Sequence, residues 1–368
     1  MAKKCNGAFG HSPVQKFYME GAYYMRGLVW TNEKKLELRE VETPGLKGPY
    51  DVKVRIYGTG ICGTDLNILR GKVAATPGMI IGHEAVGTVV EIGSGVTRLS
   101  EGDRVVIDPT QFCGKCYYCR KGLTCFCETF DDYQLGIGTH GTFADYYVGE
   151  ERFMYKIPHS MSWETAVLVE PLTCVMNIFQ KSGVKPDDSV LIIGSGPIGI
   201  LCQMVSRRLS RLTAAVEIDK YRADMSRKYA HYVFHPDELT EEKVYEINYG
   251  RKFDVIIDAV GNQLKTAASF IAKGGRIVPM GFDETYSFTF NPFSLLSRGI
   301  SIIGAGEVHQ MTEAALQYAS SLENVHTMVT SKYSLEKYKE AFDQLMGYDL
   351  ETGARKEIRD LKVVLLSD

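Results

Sequence analysis

Four cysteines form the clearest chemical pattern in this chain, with the spacing C-x2-C-x2-C-x7-C. They are Cys113, Cys116, Cys119 and Cys127. Thiolates at such short intervals can surround a single ion, and four of them are the usual ligands of a tetrahedral structural zinc. Alone, the cluster would also suit a zinc finger that binds nucleic acid. The pattern therefore predicts a closed zinc site, and the class of protein must come from other residues.

A second set of possible metal ligands lies upstream, at Cys62, His83 and Glu84. A soft thiolate and an imidazole suit Zn²⁺, and a carboxylate can complete three protein ligands while one coordination position stays open. Each of these residues alone would more often be an ordinary core residue. Together they predict an open metal site of the catalytic kind.

Glu170 is a further candidate ligand because it lies in the apolar run 169–172, where a carboxylate needs a charged partner. Cys174, one helical turn later, is a rival ligand. A free cysteine at such a position is most often a small buried apolar residue. The sequence therefore favours Glu170 over Cys174.

A glycine-rich turn with the pattern G-x-G-x-x-G follows the apolar run 190–193 and opens a predicted helix over 198–209. Its glycines allow a tight turn and close backbone approach, and the helix N-terminus binds a pyrophosphate. This context predicts a dinucleotide site. The residues predicted to contact the cofactor are Gly194, Gly196, Pro197, Ile198, Gly199, Glu217, Arg222 and Val260.

Glu217 ends the next apolar run, 23 residues after Gly194. An acid at this position accepts hydrogen bonds from the adenosine ribose and repels a 2′-phosphate, which favours NAD over NADP. Asp219 is a second candidate for this role, weighted less because Glu217 directly ends the strand. The bland interpretation is a glycine turn beside a solvated acid, and the combined context makes it the weaker one.

Length and composition limit the class of protein. A chain of 368 residues suggests two domains, and 45% hydrophobic with 24% charged residues is typical of a soluble globular protein. The net charge of −3 gives no reason to expect a nucleic-acid partner. No apolar run is long enough to span a bilayer, and the N-terminus does not have a secretory pattern. Nine cysteines at metal-like spacings indicate a reducing compartment, by default the cytoplasm.

The elements that must position these residues change in kind along the chain. Short β-rich runs broken by glycine predict a barrel-like β domain up to about residue 150. Strands then alternate with helices, and the apolar run 190–193 suits a parallel sheet. The strands predicted in this second region are 190–193, 214–216, 255–257, 276–278 and 300–303. A helical tail from about 311 and a last strand at 361–366, which should rejoin the first domain, complete the chain.

Together these residues resemble the zinc-dependent medium-chain dehydrogenase/reductase family, and the resemblance runs from about Met25 to the C-terminus. The segment 82–96 matches the family's zinc signature throughout, and 169–172 is most similar to the sorbitol and butanediol dehydrogenase branch. The resemblance implies an α/β two-domain protein, with a GroES-like β-rich catalytic domain and a doubly wound Rossmann sheet. The predicted divisions are an extension at 1–24, a catalytic part at 25–172, the Rossmann domain at 173–311 and a return to the catalytic domain at 312–368.

The resemblance also implies the chemistry. The catalytic zinc would be bound by Cys62, His83, Glu84 and Glu170, with Glu170 acting directly or through water and Glu84 either a ligand or an exchanging neighbour. Asp65 would orient His83. Thr64 would take the hydroxyl proton of a secondary alcohol, within a polyol or vicinal diol, as hydride passes to NAD and a ketone forms. Two zincs per chain and a homodimer or homotetramer are expected.

Two positions depart from the family pattern. Asn67 and Asn177 stand where many relatives carry a histidine of the proton path or of the substrate site. The proton would then leave through the ribose and water, or through a group such as His140. The alternatives left open are a cyclitol, aminocyclitol or threonine-like substrate, a non-catalytic zinc-stabilised member of the fold, and a zinc-finger nucleic-acid binder.

Overall fold

The computed structural model of the protein describes residues 23–283, 285–306, 308, 310–348, 352–354 and 356–367. The predicted extension at 1–24 therefore lies almost wholly outside the described residues, and Tyr24 already begins the first strand. The strands are β1 (Tyr24–Trp30), β2 (Leu36–Glu42), β3 (Asp51–Gly60), β4 (Glu84–Ile92), β5 (Arg104–Ile107), β6 (Tyr146–Glu150), β7 (Met154–Lys156), β8 (Ser189–Ile193), β9 (Leu212–Val216), β10 (Tyr232–Phe234), β11 (Phe253–Asp258), β12 (Ile271–Pro279), β13 (Ser301–Ile302), β14 (Val329–Ser334) and β15 (Lys362–Leu366).

Helices connect and cover these strands. They are α1 (Gly63–Leu69), α2 (Tyr117–Arg120), α3 (Phe130–Tyr133), α4 (Trp163–Ala166), α5 (Val169–Ser182), α6 (Pro197–Leu209), α7 (Lys220–Ser226), α8 (Glu241–Ile247), α9 (Leu264–Phe270), α10 (Pro292–Arg298), α11 (Thr312–Ala319) and α12 (Tyr338–Met346). None of the described helices is both long and apolar enough to cross a bilayer.

The first sheet is mixed and follows the order β14-β15-β3-β4-β5-β7, with β6 paired to β3. Val52, Val54 and Ile56 of β3 are fully buried and alternate with more exposed residues, because successive side chains of a strand point to opposite faces. The last strand, β15, lies antiparallel to β3, so the C-terminus returns to the first domain as predicted. A separate antiparallel ribbon is formed by β1 and β2.

The second sheet is parallel and follows the order β10-β9-β8-β11-β12-β13. Counted from β8, this is the order 3-2-1-4-5-6 of the Rossmann fold. Every residue of β8 and β9 is buried, as expected for parallel strands covered on both faces. The order reverses between β8 and β11, and a ligand crevice forms at such a point. The predicted fold class is confirmed.

Helix α5 joins the two regions. One hydrophobic cluster contains Val86 of β4, Leu172 of α5 and Ile257 of β11, so both sheets share a core around this helix. The helix ends at Gly183, whose left-handed conformation (φ 57°) suits glycine. Because Glu170 lies in the first turn of α5, the packing of this helix fixes where that carboxylate enters the site.

The strand expected at 190–193 begins one residue earlier, at Ser189, and the helix expected at 198–209 also begins one residue earlier, at Pro197. The strand expected at 300–303 is shorter, Ser301–Ile302. The expectation of a helical tail from 311 is wrong in part, because β14 lies between α11 and α12. The composition of β14 explains the error, since its sequence VTSKYS has one aliphatic residue and lacks the apolar alternation that indicates a strand.

Candidate active site

Cys62 lies at the N-cap of α1, where β3 ends and the chain turns into the helix. Its backbone N–H donates to the Asp65 carboxylate over 2.9 Å, and this contact fixes the turn. The hydroxyl oxygen of Thr64 lies 3.7 Å from the Cys62 sulfur. The local sequence C-G-T-D therefore places a thiol and a hydroxyl together at the start of one helix.

His83 and Glu84 enter from the start of β4. Gly82 precedes them with a φ of 93°, and a Cβ there would lie 2.6 Å from the ring of Phe143. This glycine lets the backbone turn His83 and Glu84 inward. The Nδ1 of His83 lies 3.8 Å from Asp65, which is too long for a hydrogen bond. The fully buried Oδ1 of Asp65 has no hydrogen-bond partner among the described residues, so the predicted orienting contact is approached but not made.

Cys62, His83 and Glu84 each offer a ligand atom within 4.8 Å of the other two. Burial, together with the nearby Glu84 carboxylate, raises the pKa of the Cys62 thiol to about 12. A thiol in such surroundings becomes a thiolate only when a cation compensates the charge. The sulfur, nitrogen and oxygen donors, partly or fully buried and close together, fit a zinc ion.

Glu170 and Cys174 face the same region from α5. Burial, followed by the Glu84 carboxylate, raises the pKa of Glu170 well above its usual range. Burial and then Glu170 raise the pKa of the Cys174 thiol in the same way. Neither residue belongs to the group of atoms that lie mutually within 4.8 Å. The structure thus brings Glu170 near the three-residue cluster without making it part of that cluster.

Lys362 is a member of this site that the sequence did not reveal. Its ammonium forms an ion pair with Glu84 and donates to the carbonyl of Ile61 over 3.0 Å, and it is 1% exposed. The available signal was a lysine inside the otherwise apolar strand 361–366. The partner of that lysine cannot be found from local spacing, because it comes from the other end of the chain.

The four-cysteine lobe gathers its sulfur atoms as predicted. Cys113, Cys116, Cys119 and Cys127 lie mutually within 4.8 Å. The Cys113 and Cys119 sulfurs are 4.0 Å apart, and those of Cys116 and Cys127 are 3.9 Å apart. A Zn–S bond of about 2.3 Å implies an S–S edge of about 3.8 Å in a tetrahedron. The spacing of the thiols therefore fits a zinc ion.

Backbone N–H groups support the sulfur atoms of this lobe. Lys115 donates to Cys113 over 3.4 Å, and Cys119 donates to Cys116 over 3.5 Å. The backbone amides of Lys115 and Cys116 lower the pKa of Cys113 to about 6. Such donors favour the thiolate form, which is the form that binds metal. The backbone of the turn that contains Cys113 and Lys115 therefore favours metal binding.

The glycines of the dinucleotide loop serve different purposes. Gly194 has a φ of 95°, and a Cβ there would lie 2.7 Å from Val260. A Cβ at Gly199 would lie 2.0 Å from the Gly194 carbonyl, so only glycine lets α6 pack this closely on the strand. Nothing lies within 4 Å of a Cβ at Gly196, which is the N-cap of α6 and is followed by Pro197 and Ile198. That open space beside a helix N-terminus fits a pyrophosphate.

Glu217 makes contacts that the sequence did not predict. Its buried carboxylate accepts from the backbone N–H of Ser195 over 2.6 Å, and from those of Ile218 and Asp219 over 2.9 Å each. The Glu217 carboxylate therefore stabilises the backbone of the glycine-rich loop, in addition to following the last residue of β9. Asp219 instead accepts from the Arg222 N–H and caps α7. The Nε of Arg222 is buried without a hydrogen-bond partner among the described residues, which suits a cofactor contact.

A second loop faces the first across the crevice. The fully buried Asp258, at the end of β11, accepts from the backbone N–H groups of Val260, Gly261 and Gln263 over 2.7–3.0 Å. This places the half-exposed Val260 against Gly194. Asp258 was missed, although an acid that ends an apolar strand was the available signal.

Three residues raised as parts of a proton or substrate path have other surroundings. The Nδ1 of His140 accepts from the Ile80 N–H over 3.2 Å, and burial lowers the pKa of this histidine. Asn177 is buried and donates to the Ala305 carbonyl over 2.8 Å. Asn67 is half-buried on α1, and its backbone carbonyl accepts from Lys72 and Val73. His140 is thus engaged in fixing the backbone before β4.

Known proteins share this architecture. The model of the alcohol dehydrogenase GroES-like domain matches residues 48–159, and that of the zinc-binding dehydrogenases matches residues 197–324. D-xylulose reductase A of Aspergillus oryzae is 30% identical over 329 residues, which cover 84% of this chain and 90% of that protein. D-arabinitol dehydrogenase 1 of Uromyces fabae is 29% identical over 305 residues, covering 80% of this chain and 86% of that protein.

Among solved structures, the alcohol dehydrogenase TADH from Thermus sp. ATN1 has a TM-score of 0.82 at 28% identity, covering 93% of this chain and 99% of that one. The first family model spans both groups of clustered ligands described above, and the second spans strands β9 to β13 of the parallel sheet. The chain belongs to the zinc-dependent medium-chain dehydrogenase/reductase family, within the branch that includes D-xylulose reductase and D-arabinitol dehydrogenase.

Proposed function

We propose that this protein oxidises a secondary alcohol within a polyol or vicinal diol to a ketone, with NAD as the hydride acceptor. The observation that carries the proposal is the cluster of Cys62, His83 and Glu84 in a chain that also has a Rossmann nucleotide loop. The names of the two sequence relatives, a D-xylulose reductase and a D-arabinitol dehydrogenase, support a polyol substrate.

The proposed zinc ligands at the reaction centre are Cys62, His83 and Glu84, with Glu170 beside them as a direct or water-mediated ligand. A zinc ion there supplies Lewis acidity, which lowers the pKa of an alcohol as it lowers that of water. Thr64 receives the hydroxyl proton, because its side chain lies beside the Cys62 sulfur on the same turn. The lobe of four cysteines binds the second zinc. We also propose the domain boundaries expected from the sequence, with the Rossmann domain beginning after residue 172 and ending at residue 311.

A dehydrogenase assay with metal analysis tests the function directly. We expect two zincs per chain in the fully loaded protein, and NADH formation, read by absorbance, with at least one member of a panel of polyols, vicinal diols, cyclitols and amino alcohols. Removing the metal with a chelator should abolish NADH formation. A well-folded, active preparation without metal would contradict the mechanism. Activity confined to cyclitols or amino alcohols would contradict the proposed polyol or diol substrate, and the zinc-dependent oxidation of an alcohol by NAD would still stand.

Thr64→Ala is expected to lower kcat by on the order of 10²-fold or more, the usual scale for a positioned proton-transfer group. The hydroxyl has no close substitute in the local turn, because the neighbouring Asp65 is fully buried and accepts from the Cys62 N–H. Thr64→Ser keeps the hydroxyl and serves as the matched control. Unchanged turnover in Thr64→Ala, with zinc content also unchanged, would exclude this proton path.

We propose that Glu217 gives a preference for NAD, and we expect Glu217→Gln to narrow the NAD-to-NADP ratio of kcat/KM by at least about tenfold. Two like charges 4 Å apart repel by about 4 kcal/mol at an effective dielectric constant of 20. A tenfold change in the ratio of kcat/KM corresponds to only about 1.4 kcal/mol. Glutamine keeps one oxygen that can accept from the Ser195 N–H, but its NH2 group then faces the N–H groups of Ile218 and Asp219, so thermal stability is measured beside the cofactor ratio. Glu217→Ala would remove all three contacts. Arg222, in the first turn of α7, is then free to favour a 2′-phosphate.

Asp219→Asn is the matched control for this prediction, because asparagine also caps helices well and α7 should stay intact. The cofactor ratio should not change in this variant. A larger shift in Asp219→Asn than in Glu217→Gln would assign the role to Asp219. A wild-type enzyme that uses NADP better than NAD would contradict the proposal for Glu217.

We also propose that the protein forms a homodimer or homotetramer in the cytoplasm. Phe293 and Leu296 of α10 are 70% and 80% exposed, and Ile302 lies on β13, the last strand in the order of the parallel sheet. Exposed apolar residues beside a sheet edge suit pairing with a second copy. Sedimentation giving only the 41.1 kDa monomer would contradict this. The cytoplasm is supported by the four clustered thiols of Cys113, Cys116, Cys119 and Cys127, whose arrangement suits a metal rather than disulfide bonds.

A further inference from the structure

A group of three polar side chains lies buried beneath the glycine-rich loop. They are Ser195 of the loop, Gln203 of α6 and Ser226, the last residue of α7, and each is fully buried. The Ser226 hydroxyl donates to the Ser195 hydroxyl over 2.6 Å. The Gln203 amide donates to the Ser195 hydroxyl oxygen over 3.0 Å and to that of Ser226 over 3.2 Å. These three side chains, which we call the polar triangle, therefore connect the loop to two helices.

The polar triangle gives the fold little net stability. Burying hydroxyl and amide groups is costly unless each of them is hydrogen-bonded. The Oε1 of Gln203 is buried, and it has no hydrogen-bond partner in the part of the chain that the structure describes. Apolar side chains of the same shape would avoid this cost. What the triangle adds is direction, because hydrogen bonds set the distance and the angle between the elements they join, whereas hydrophobic contacts do not.

Ser195 is held from two sides. Its backbone N–H donates to the Glu217 carboxylate over 2.6 Å, and its hydroxyl accepts from Ser226. Its neighbours in the chain are Gly194 and Gly196, so these two hydrogen bonds fix the turn beside the helix N-terminus that fits a pyrophosphate. The position of the loop is therefore tied both to the end of β9 and to α7.

Ser226 connects this loop to Arg222. The two residues are four positions apart on α7, which places them about one turn apart on the same side of the helix. The Nε of Arg222 is buried without a hydrogen-bond partner elsewhere in the described chain, and Arg222 is one of the residues expected to contact the cofactor. A shift of α7 against the loop would move Arg222 relative to the pyrophosphate site. The hydrogen bond from Ser226 to Ser195 opposes that shift.

We infer that Ser226 is a positioning residue for the adenosine half of NAD and that it acts through Ser195 and α7. This inference rests on the use of NAD in the proposed function. Ser226 is fully buried and its hydroxyl is bonded to Ser195 and Gln203, so it holds the loop without touching the cofactor. The alcohol reacts elsewhere, at the Cys62 cluster. Loss of the Ser226 hydroxyl should therefore weaken cofactor binding and leave hydride transfer unchanged.

The test compares cofactor binding and turnover in Ser226→Ala and the wild-type protein. We expect the dissociation constants of NADH and of ADP-ribose, measured by titration, to rise by the same factor, about tenfold, the upper end of the scale of one neutral hydrogen bond. ADP-ribose contains the adenosine and the pyrophosphate but lacks the nicotinamide, so an equal effect on both ligands places the defect at the adenosine half. The KM for NAD should rise in parallel. The kcat at saturating NAD should change by less than about twofold, as it does when binding is lost equally before and during the reaction.

Matched variants separate positioning from damage to the fold. Ser206→Ala removes another fully buried hydroxyl of α6, which lies 2.8 Å from the Thr213 hydroxyl, and it should lower Tm without changing either dissociation constant. Ser226→Thr keeps the hydroxyl and should restore cofactor binding. The triple variant Ser195→Ala, Gln203→Met and Ser226→Ala leaves no unpaired polar group in the triangle, so Tm should recover relative to Ser226→Ala while cofactor binding stays weak. If Ser226→Ala does not fold, the triple variant provides the same comparison.

Unchanged dissociation constants in a folded Ser226→Ala or triple variant would overturn the inference, as would an equal weakening in Ser206→Ala or a loss of kcat as large as the loss of affinity. These results leave the dehydrogenase proposal standing, because the wild-type protein would still form NADH from an alcohol. A wild-type protein that binds NADH but oxidises no alcohol would overturn the proposed function alone, and one that binds neither NADH nor ADP-ribose would overturn both. A parallel loss of affinity for the two ligands, reversed by Ser226→Thr, is the result that supports the role of Ser226.

Discussion

Cys62→Ser is expected to abolish alcohol oxidation while leaving the fold largely intact. The loss of activity should exceed the roughly 10–100-fold loss that is usual when a residue hydrogen-bonded to a metal ligand is removed. Zinc content should fall from two to one per chain, because a serine hydroxyl is a poor replacement for a thiolate. Circular dichroism and thermal unfolding should change little, since Cys62 is a helix N-cap on a turn that Asp65 also fixes through the backbone.

Cys174→Ser is the matched control for this change. Cys174 is a thiol on α5 in the same region, but it does not belong to the group of ligand atoms that lie within 4.8 Å of one another, so we expect it to pack without binding the metal. We expect a mild effect on turnover and no loss of zinc. Equal losses in Cys62→Ser and Cys174→Ser would indicate a site with two cysteines and one histidine. That result would remove Glu170 from the proposed ligands and weaken the polyol assignment.

Cys116→Ser is expected to damage the fold before it damages catalysis. The Cys116 sulfur lies 3.9 Å from that of Cys127 and accepts from the Cys119 N–H, so its loss opens one corner of the lobe. Apparent binding energies of about 10–16 kcal/mol for structural zinc in small domains show how much folding energy such a site can supply. We expect low solubility, a lowered Tm and one zinc per chain.

Cys125→Ala is the control for the lobe, because Cys125 is buried there but does not belong to the group of four. It should keep both zincs and change Tm by less than Cys116→Ser. A Cys116→Ser protein that stays soluble with an unchanged Tm would contradict a structural role for the lobe. Activity measured on the soluble fraction separates lost protein from lost turnover.

Much of the fold was predictable because its signals are local. The apolar run 190–193 and the glycines after it specify a buried strand and a helix start within a dozen residues. The same holds for the four-cysteine lobe, whose ligands span one short segment, and for Cys62 on its turn. In each case the residues that meet in space are near one another in the chain or follow a pattern set by one element.

The rest depended on contacts between distant segments. Lys362 reads as an interruption of an apolar strand until β15 is placed beside β3 and its ammonium reaches Glu84. Glu217 was predicted to contact ribose, and its contact with the Ser195 amide requires knowing how the ends of β8 and β9 lie together. The strand β14 was missed because its polar sequence, VTSKYS, has too few apolar residues to show the alternation of a strand.

The return of the C-terminal strand to β3 has a consequence for synthesis of the protein on the ribosome. Ile61 and Lys362 are 301 positions apart, and the chain grows at about 5–20 residues per second, so about 15–60 s separate their emergence. During that interval β3 lacks its neighbour β15, and Glu84 lacks its ammonium partner. Pairing over such a separation is also slow to form. The catalytic site is therefore completed late in synthesis, and a nascent chain that captures zinc early does so at a site with one positive charge fewer.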